Sequence, residues 1–284
     1  MTSLARQLKI DHVTIGGSRL QDLQQAFAEV GLATDYGGAH SNNITHMSLL
    51  GFDDGSYMEL ISTLEPGQTS PWWDAHINGD GGPCAWAVDV EDVAEEARRT
   101  RAAGIAVDGP RHYTRKRPDG RRIEWDLAFV GDEGMGAVLP FLIKDRTPRS
   151  LRVSPSASVT STELTGVELV VLGVNDIEHA SRLFSQVYGL PLPERGELPH
   201  FGATTACFAG QRFMLAAPLE ADNWLAQRLT RFGPSPCAYL IGSRDFARSV
   251  ERFGLTDEAN GWDRRAAWFA TNALRRLRIG IMSV

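Results

Sequence analysis

Apolar runs along this chain switch between a period of two and a helical period, in a fixed order. Residues 8–15 are rich in Ile and Val and predict a strand. Leu20, Leu23, Phe27 and Val30 recur at helical spacing over 19–31, with Gly31 as the stop. Strands follow near 33–37, 44–51 and 56–62, and Asp53-Asp54-Gly55 forms a tight turn between the last two. The order then starts over. A strand over 84–90 leads to a helix over 92–103 that Gly104 ends. Strands near 106–115, 121–130 and 137–144 complete it, with Pro118-Asp119-Gly120 turning the hairpin. The first 146 residues therefore read β-α-β-β-β twice.

Comparing the chain with itself extends this order. Leu8-Lys9-Ile10-Asp11-His12-Val13 aligns with Leu164-Thr165-Gly166-Val167-Glu168-Leu169, and Phe27–Leu32 with Phe184–Leu190 after one insertion. Ser56-Tyr57-Met58-Glu59-Leu60 aligns with Gln211-Arg212-Phe213-Met214-Leu215, and Pro83-Cys84-Ala85-Trp86 with Pro236-Cys237-Ala238-Tyr239. Four matches in order, each ~155 residues apart, mark a tandem duplication. The expected fold class is α+β: four βαβββ modules in two paired domains. The first domain is 1–146, with modules 8–65 and 82–146. The second is 164–284, with modules 164–220 and 234–284. Residues 147–163 are Ser/Thr/Pro-rich, lack apolar periodicity and read as a linker.

Composition narrows the function classes. At 284 residues, with 43% hydrophobic and 23% charged residues, the chain is an ordinary globular protein able to bury a core without staples. A net charge of −6 argues against a general nucleic-acid binder. No apolar run approaches the ~20 residues that span a bilayer, and the N-terminus lacks the apolar stretch of a secretory signal. Cys84, Cys207 and Cys237 lie in apolar strand-like runs without metal-type spacing, so buried free thiols in a cytoplasmic protein are expected. No P-loop, dinucleotide fingerprint or nucleophile elbow is present.

The chemistry-bearing residues cluster in the first half. His12 near the start of one apolar strand and Glu59 inside a later one suit a divalent metal, and an unpaired Glu in an apolar strand needs a partner. The pairing of His12 with Glu59 alone is the other reading. His46, in the run Ile44–Leu50, adds a third group: a metal ligand completing a His-His-Glu set, or a general base beside it. Arg111, Arg115 and Arg117 bracket the second module's hairpin, where alternation turns some of them inward to bind a carboxylate. Trp86, Trp125 and Phe141 are expected as apolar walls. Trp72-Trp73 reads as a lid or as packing, Glu124 as a spare acid or base, and His76, His179 and His200 as surface or loop residues.

Together, Ile10-Asp11-His12-Val13, Gly37-Gly38-Ala39-His40, Thr45-His46, Asp54–Ile61, Arg117-Pro118-Asp119-Gly120, Glu124-Trp125 and Leu139–Ile143 resemble the glyoxalase-like branch of the vicinal-oxygen-chelate superfamily. The resemblance covers most of 8–146. It implies two paired domains of the glyoxalase/bleomycin-resistance type, in which curved sheets form a half-open cup. It implies a divalent metal (Zn, Mn, Ni or Fe) in that cup, with His12 and Glu59 at the family's ligand positions. His46 is not a usual ligand position. The second module's matching strands, Cys84–Val88 and Leu139–Leu142, supply no ligands, and the second half carries Glu168 and Met214 where His12 and Glu59 stand. The standard four-ligand set is thus incomplete. The leading expectation is a lyase or isomerase that moves a proton on a small oxygen-rich or carboxylated metabolite with metal help. A metal-free binding protein of the bleomycin-resistance type is the alternative, and an iron dioxygenase built on His12, His46 and Glu59 a third. A small molecule is the expected partner, with a homodimer compatible. The second half reads as structure or dimer surface, unless Glu168 serves a site of its own.

Overall fold

A computed structural model of the protein describes residues 7–132, 134–257 and 262–284. The N-terminal residues 1–6, which the expected first domain includes, lie outside the described residues. In the first half, eight strands form one curled sheet. They are β1 (Ile10–Gly16), β2 (Asp35–Ala39), β3 (Thr45–Gly51), β4 (Tyr57–Thr63), β5 (Gly82–Asp89), β6 (Val107–Lys116), β7 (Arg122–Val130) and β8 (Phe141–Asp145). Their order across the sheet is β2-β3-β4-β1-β5-β8-β7-β6. β1 runs antiparallel to β5 at the centre, and each is flanked by a parallel partner, β4 or β8.

The second half repeats the order strand for strand. It uses β9 (Leu164–Gly173), β10 (Glu194–Leu198), β11 (Ala203–Cys207), β12 (Phe213–Pro218), β13 (Ser235–Ser243), β14 (Leu255–Asp257), β15 (Ala266–Phe269) and β16 (Ile279–Ser283). The sheet runs β10-β11-β12-β9-β13-β16-β15-β14. The expected four-module α+β architecture is therefore present as two curled sheets.

Local chemistry sets the element ends. Asp92, Asp176 and Asp245 each accept backbone N–H groups at the start of a helix. The last strand of module two begins at Phe141 rather than 137. Gly134 and Gly136 hold left-handed backbone ahead of it, and Pro140 has no N–H to give a ladder.

The main core lies between the halves. β5 alternates, so Ala85 and Ala87 face the first cup while Trp86 and Val88 face the other way. Trp86 is fully buried against Phe184 and Phe213 of the second half, and its Nε1–H donates to the Val138 carbonyl. This corrects its expected place as a cup wall. Burying such a side chain stabilises by roughly 1.5–3 kcal/mol. Its repeat counterpart Tyr239 donates its hydroxyl to the carbonyls of Thr14 and Ala85, at 3.0 and 2.8 Å. The halves share one apolar interior.

Two further expectations change here. Cys84 and Cys237 are buried, but Cys207 is partly exposed. His76 is buried rather than on the surface. It stacks on Phe232 of the second half with ring centroids 4.8 Å apart, and its Nε2 lies 3.3 Å from Ser235 Oγ. Burial, with the Arg228 guanidinium adding to it, pulls its pKa from 6.5 down to about 3. Between those values the unfolded chain takes up a proton that the native state refuses. Its cost to folding is absent above pH 6.5 and grows as pH falls toward 3. His76→Phe should therefore flatten the acid side of the stability curve, recovering about 1–2 kcal/mol at pH 5 relative to pH 7.5. Urea unfolding at both pH values checks this; parallel losses in wild type and variant would contradict it.

Candidate functional site

The first sheet curls around one small cavity of about 60 Å³. That space holds about four to six water-sized volumes, so it suits a compact ligand. One end of the cavity is polar, with His12, Glu59, His40, Tyr57, Arg115 and Arg152; the other is walled by aromatic and apolar side chains.

His12 stands at a register shift in β1, between Ile10 and His12. The irregularity lets two consecutive residues act together. Asp11, wholly buried, lies with Oδ1 2.5 Å from His12 Nδ1. The imidazole stacks on Tyr57, its cross-strand partner on β4, at 4.6 Å, and meets the edge of Phe141. With Nδ1 engaged, Nε2 is the nitrogen left without a protein partner among the described residues. A carboxylate so placed fixes the ring's orientation and tautomer.

The segment expected to be a linker supports this pair. Residues Arg149–Arg152 form a short helix against the first sheet. Arg152 reaches Asp11 with two parallel hydrogen bonds of 2.9 and 2.7 Å, grips Asp145 at 2.6 and 3.0 Å, and donates to the Tyr57 hydroxyl at 2.8 Å. Arg149 adds a second ion pair to Asp11 and donates to the Gly55 carbonyl. Burial alone would raise the Asp11 carboxyl, but Arg152, with His12 beside it, holds it well below the usual carboxylate range. The short helix and the residues after it form a strap across the sheet, and Gly51 is required beneath it, because a Cβ there would overlap the Ser154 carbonyl oxygen.

Arg115 is the cavity's other cation, only 5% exposed. Its Nη1 donates to the Gly37 carbonyl, tying β6 to β2, the two outer strands of the sheet. Its remaining N–H groups have no partner among the described residues. Burial lowers its pKa from the arginine norm, while Tyr57 and Glu59 oppose the shift. Glu59 itself has no hydrogen-bond donor within reach among the described residues; His40 Nε2 lies 3.7 Å from its Oε1. Burial lowers the pKa of His40 despite Glu59, so its ring is neutral near pH 7.

The expected site residues divide clearly. His12, Glu59, Arg115, Trp125 and Phe141 meet in the cavity. His46 does not: Met47 and Leu49 turn into the cup, so the strand's alternation sends His46 to the other face, beside Tyr36. Arg111 is exposed and pairs with Asp108, past a register shift in β6. Arg117 donates to the Leu151 carbonyl and lies 3.2 Å from Asp119, outside the cavity. Glu124 pairs with Arg122 and His112 away from the cup. Trp72 and Trp73 line the cavity, with Trp73 Nε1 donating to the Met135 carbonyl at 2.7 Å across it. Asp11, His40, Tyr57 and Arg152 were given no role by sequence; the adjacent polar pair Asp11-His12 inside an apolar strand was the one available signal. In the second half Glu168 is held by Arg264 at 2.5 Å and Arg212 at 3.6 Å, and Phe201, Trp262 and Trp268 pack within that sheet.

The profile of the Glyoxalase-like domain matches residues 10–171, more than half of the chain. The chain belongs to the glyoxalase-like family. No curated protein matches its sequence. Among solved structures, this glyoxalase-like protein is similar to a hypothetical protein from Staphylococcus aureus, at 13% identity and TM-score 0.62 over 98% of this chain and 99% of that one. A mutant of 4-hydroxymandelate synthase from Streptomyces coelicolor aligns at 11% identity and TM-score 0.61, over 99% and 92% of the two chains. A xylose isomerase-like TIM barrel/4-hydroxyphenylpyruvate dioxygenase fusion protein aligns at 12% and 0.58, covering 99% of this chain and 49% of that one. These likenesses show a shared fold and not the reaction.

The donor set speaks to the family's metal. Among the described residues no three His, Cys, Asp or Glu groups converge as a metal site. His46 is on the wrong face and the second module adds no His, Asp or Glu to the lining, so His12, His40 and Glu59 are the donors present; His40 is tied through Nδ1 to Thr45, and the three do not converge on one point. The Arg115 guanidinium adds positive charge to the same cavity. The residues present do not fit a divalent ion.

Proposed function

We propose that the first-half cup is an active site that moves a proton on a small carbonyl or carboxylate compound without a metal, in the manner of an isomerase or lyase. The observation that carries this is His12: its Nδ1 is fixed by a buried carboxylate, and its Nε2 is left for the cavity. Nε2 takes a proton from the carbon next to a carbonyl. The C–H pair becomes a C=C bond, and the carbonyl pair moves onto oxygen as an enolate. The unused N–H groups of Arg115 donate to that oxygen, where a preorganised cation in a shielded cavity is worth most. Return of the proton to the carbon's other face, or to a neighbouring atom, completes an isomerisation; loss of a leaving group completes an elimination. Aromatic walls exclude water from the enolate.

The test is deuterium uptake. A panel of 2-oxo acids and other carbon acids is incubated with enzyme in D2O and followed by NMR, before and after exhaustive chelation. Uptake on at least one compound, unchanged by the chelator, is the expected result. Uptake that vanishes with the chelator and returns with Zn²⁺, Mn²⁺, Ni²⁺ or Fe²⁺ would overturn the metal-free step. Tight binding of panel members with no uptake would instead identify a sequestration protein.

A further inference from the structure

The polar end of the cup contains two buried groups of opposite charge that do not satisfy each other. Arg115 has N–H groups with no protein acceptor, and Glu59 has no donor within hydrogen-bond reach, among the described residues. No ion pair joins the two. Arg152, by contrast, is consumed: Asp11, Asp145 and Tyr57 take its donors. Buried charges without partners are costly, and such a site is completed by what binds it. One ligand head that accepts from Arg115 and donates to Glu59 would satisfy both. A plain carboxylate satisfies the arginine only and faces Glu59 unfavourably.

The body of the ligand is set by the other end. Tyr113 and Trp125 are stacked, at 14° and 6.4 Å between centroids, and Phe129 meets Tyr113 edge-on. Phe141 touches Phe129 at 5.8 Å and Trp73 at 6.5 Å, and Trp72 lies against Trp73 and Tyr113. Five of the rings, Tyr113, Phe129, Phe141, Trp73 and Trp72, form a closed circuit of contacts around the apolar end, and Trp125 stacks on Tyr113 beside it. Such a lining favours a planar ring over a puckered alkyl one. The cavity's small volume allows a single ring and a short head.

We propose that the natural ligand is a single-ring aromatic molecule whose head carries a carboxylate or enolate oxygen for Arg115 and an adjacent hydroxyl or amino donor for Glu59. This rests on the cup being the small-molecule site, and it names the substrate class of the reaction above.

The test reads binding, so that it stands apart from turnover. Three probes are titrated into chelator-treated wild type and into His12→Gln, by calorimetry or tryptophan quenching: 3-phenyllactate, 3-phenylpropanoate and 3-cyclohexylpropanoate. Phenyllactate should bind best. It should lead phenylpropanoate by about tenfold through Glu59, and phenylpropanoate should lead its cyclohexyl analogue by ~3- to 10-fold through the rings. Glu59→Gln should erase the first preference and leave the second. Arg115→Met should weaken both aromatic acids by tenfold or more. Equal affinity for phenyl and cyclohexyl probes, an Arg115→Met variant that binds like wild type, or no binding of any probe overturns the proposal. If the binding order holds but no deuterium uptake occurs, only the proton-transfer reading fails. If uptake occurs on alkyl acids without aromatic preference, only the ligand class fails.

Discussion

Arg152→Met is expected to lower the unfolding free energy by about 3–5 kcal/mol, the range seen when one partner of a buried ion pair is removed. The side chain is 4% exposed and Asp11 is fully buried, so water does not replace the lost contacts. Two carboxylates lose their principal donor: Asp11 loses both parallel bonds, and Asp145 loses two more. Arg149 still reaches Asp11 but is itself a third exposed, which places the expected loss toward the lower end of the range. The pH dependence identifies the cause. In the wild type the Asp11 pKa is depressed, so its contribution is present above the unfolded value near 3.8 and disappears as pH falls through the folded value. In the variant the buried carboxylate is stranded, its pKa rises, and the folded state takes up a proton more readily than the unfolded chain. The deficit should therefore narrow as pH drops from 7 to 4. Denaturant unfolding at several pH values measures it. A loss below 1 kcal/mol, or a deficit that does not change with pH, would show that the strap merely covers the sheet.

That strap illustrates which parts of this molecule can be read from a sequence. Repeated order was visible because each module is built from local signals: a strand of Ile and Val, a helix closed by glycine, a hairpin turned by Asp-Gly. Cys84–Trp86 and Cys237–Tyr239 share their spacing although the second half carries Glu168 and Met214 where His12 and Glu59 stand, so the repeat is legible apart from the site. The strap had no such signal. Arg152 meets Asp11 across 141 positions of chain, from a Ser/Pro-rich stretch with no periodicity. His46 failed for a different reason. Most of β3 is buried on both faces of the sheet, so alternation predicts two sets of side chains but not which set faces the cup. Met47 and Leu49 are as apolar as a back face would be. Trp86 misled in the same way: in β5 both directions are dry, one toward the cup and the other toward the second half. His12 and Glu59 were readable because a charge in an apolar strand has few reasons to be there.

His12→Gln should reduce deuterium uptake by about 10²- to 10⁴-fold while leaving probe affinity within a few-fold of wild type. Glutamine approximates the imidazole's reach and can donate an amide N–H to Asp11, so the Asp11–Arg152 cluster keeps its charge balance and the fold its stability. What it removes is Nε2, the proton acceptor of the proposed reaction. An effect confined to turnover is the mark of a group acting in the reaction rather than in assembly. Asp11→Asn separates orientation from proton acceptance. It leaves His12 in place but weakens the contact that fixes the ring, at the further cost of under-compensating Arg149 and Arg152. Its uptake should fall less than that of His12→Gln, while its unfolding free energy falls more. Glu59→Gln supplies the contrast on the adjacent strand, because it removes the Glu59 carboxylate from the cavity without touching the Asp11 network. If His12→Gln exchanged at the wild-type rate and Glu59→Gln did not exchange at all, Glu59 would be the base and His12 part of the wall. The ranking of three variants in uptake, set against their ranking in stability, therefore assigns the proton acceptor from measurements that need no knowledge of the natural substrate.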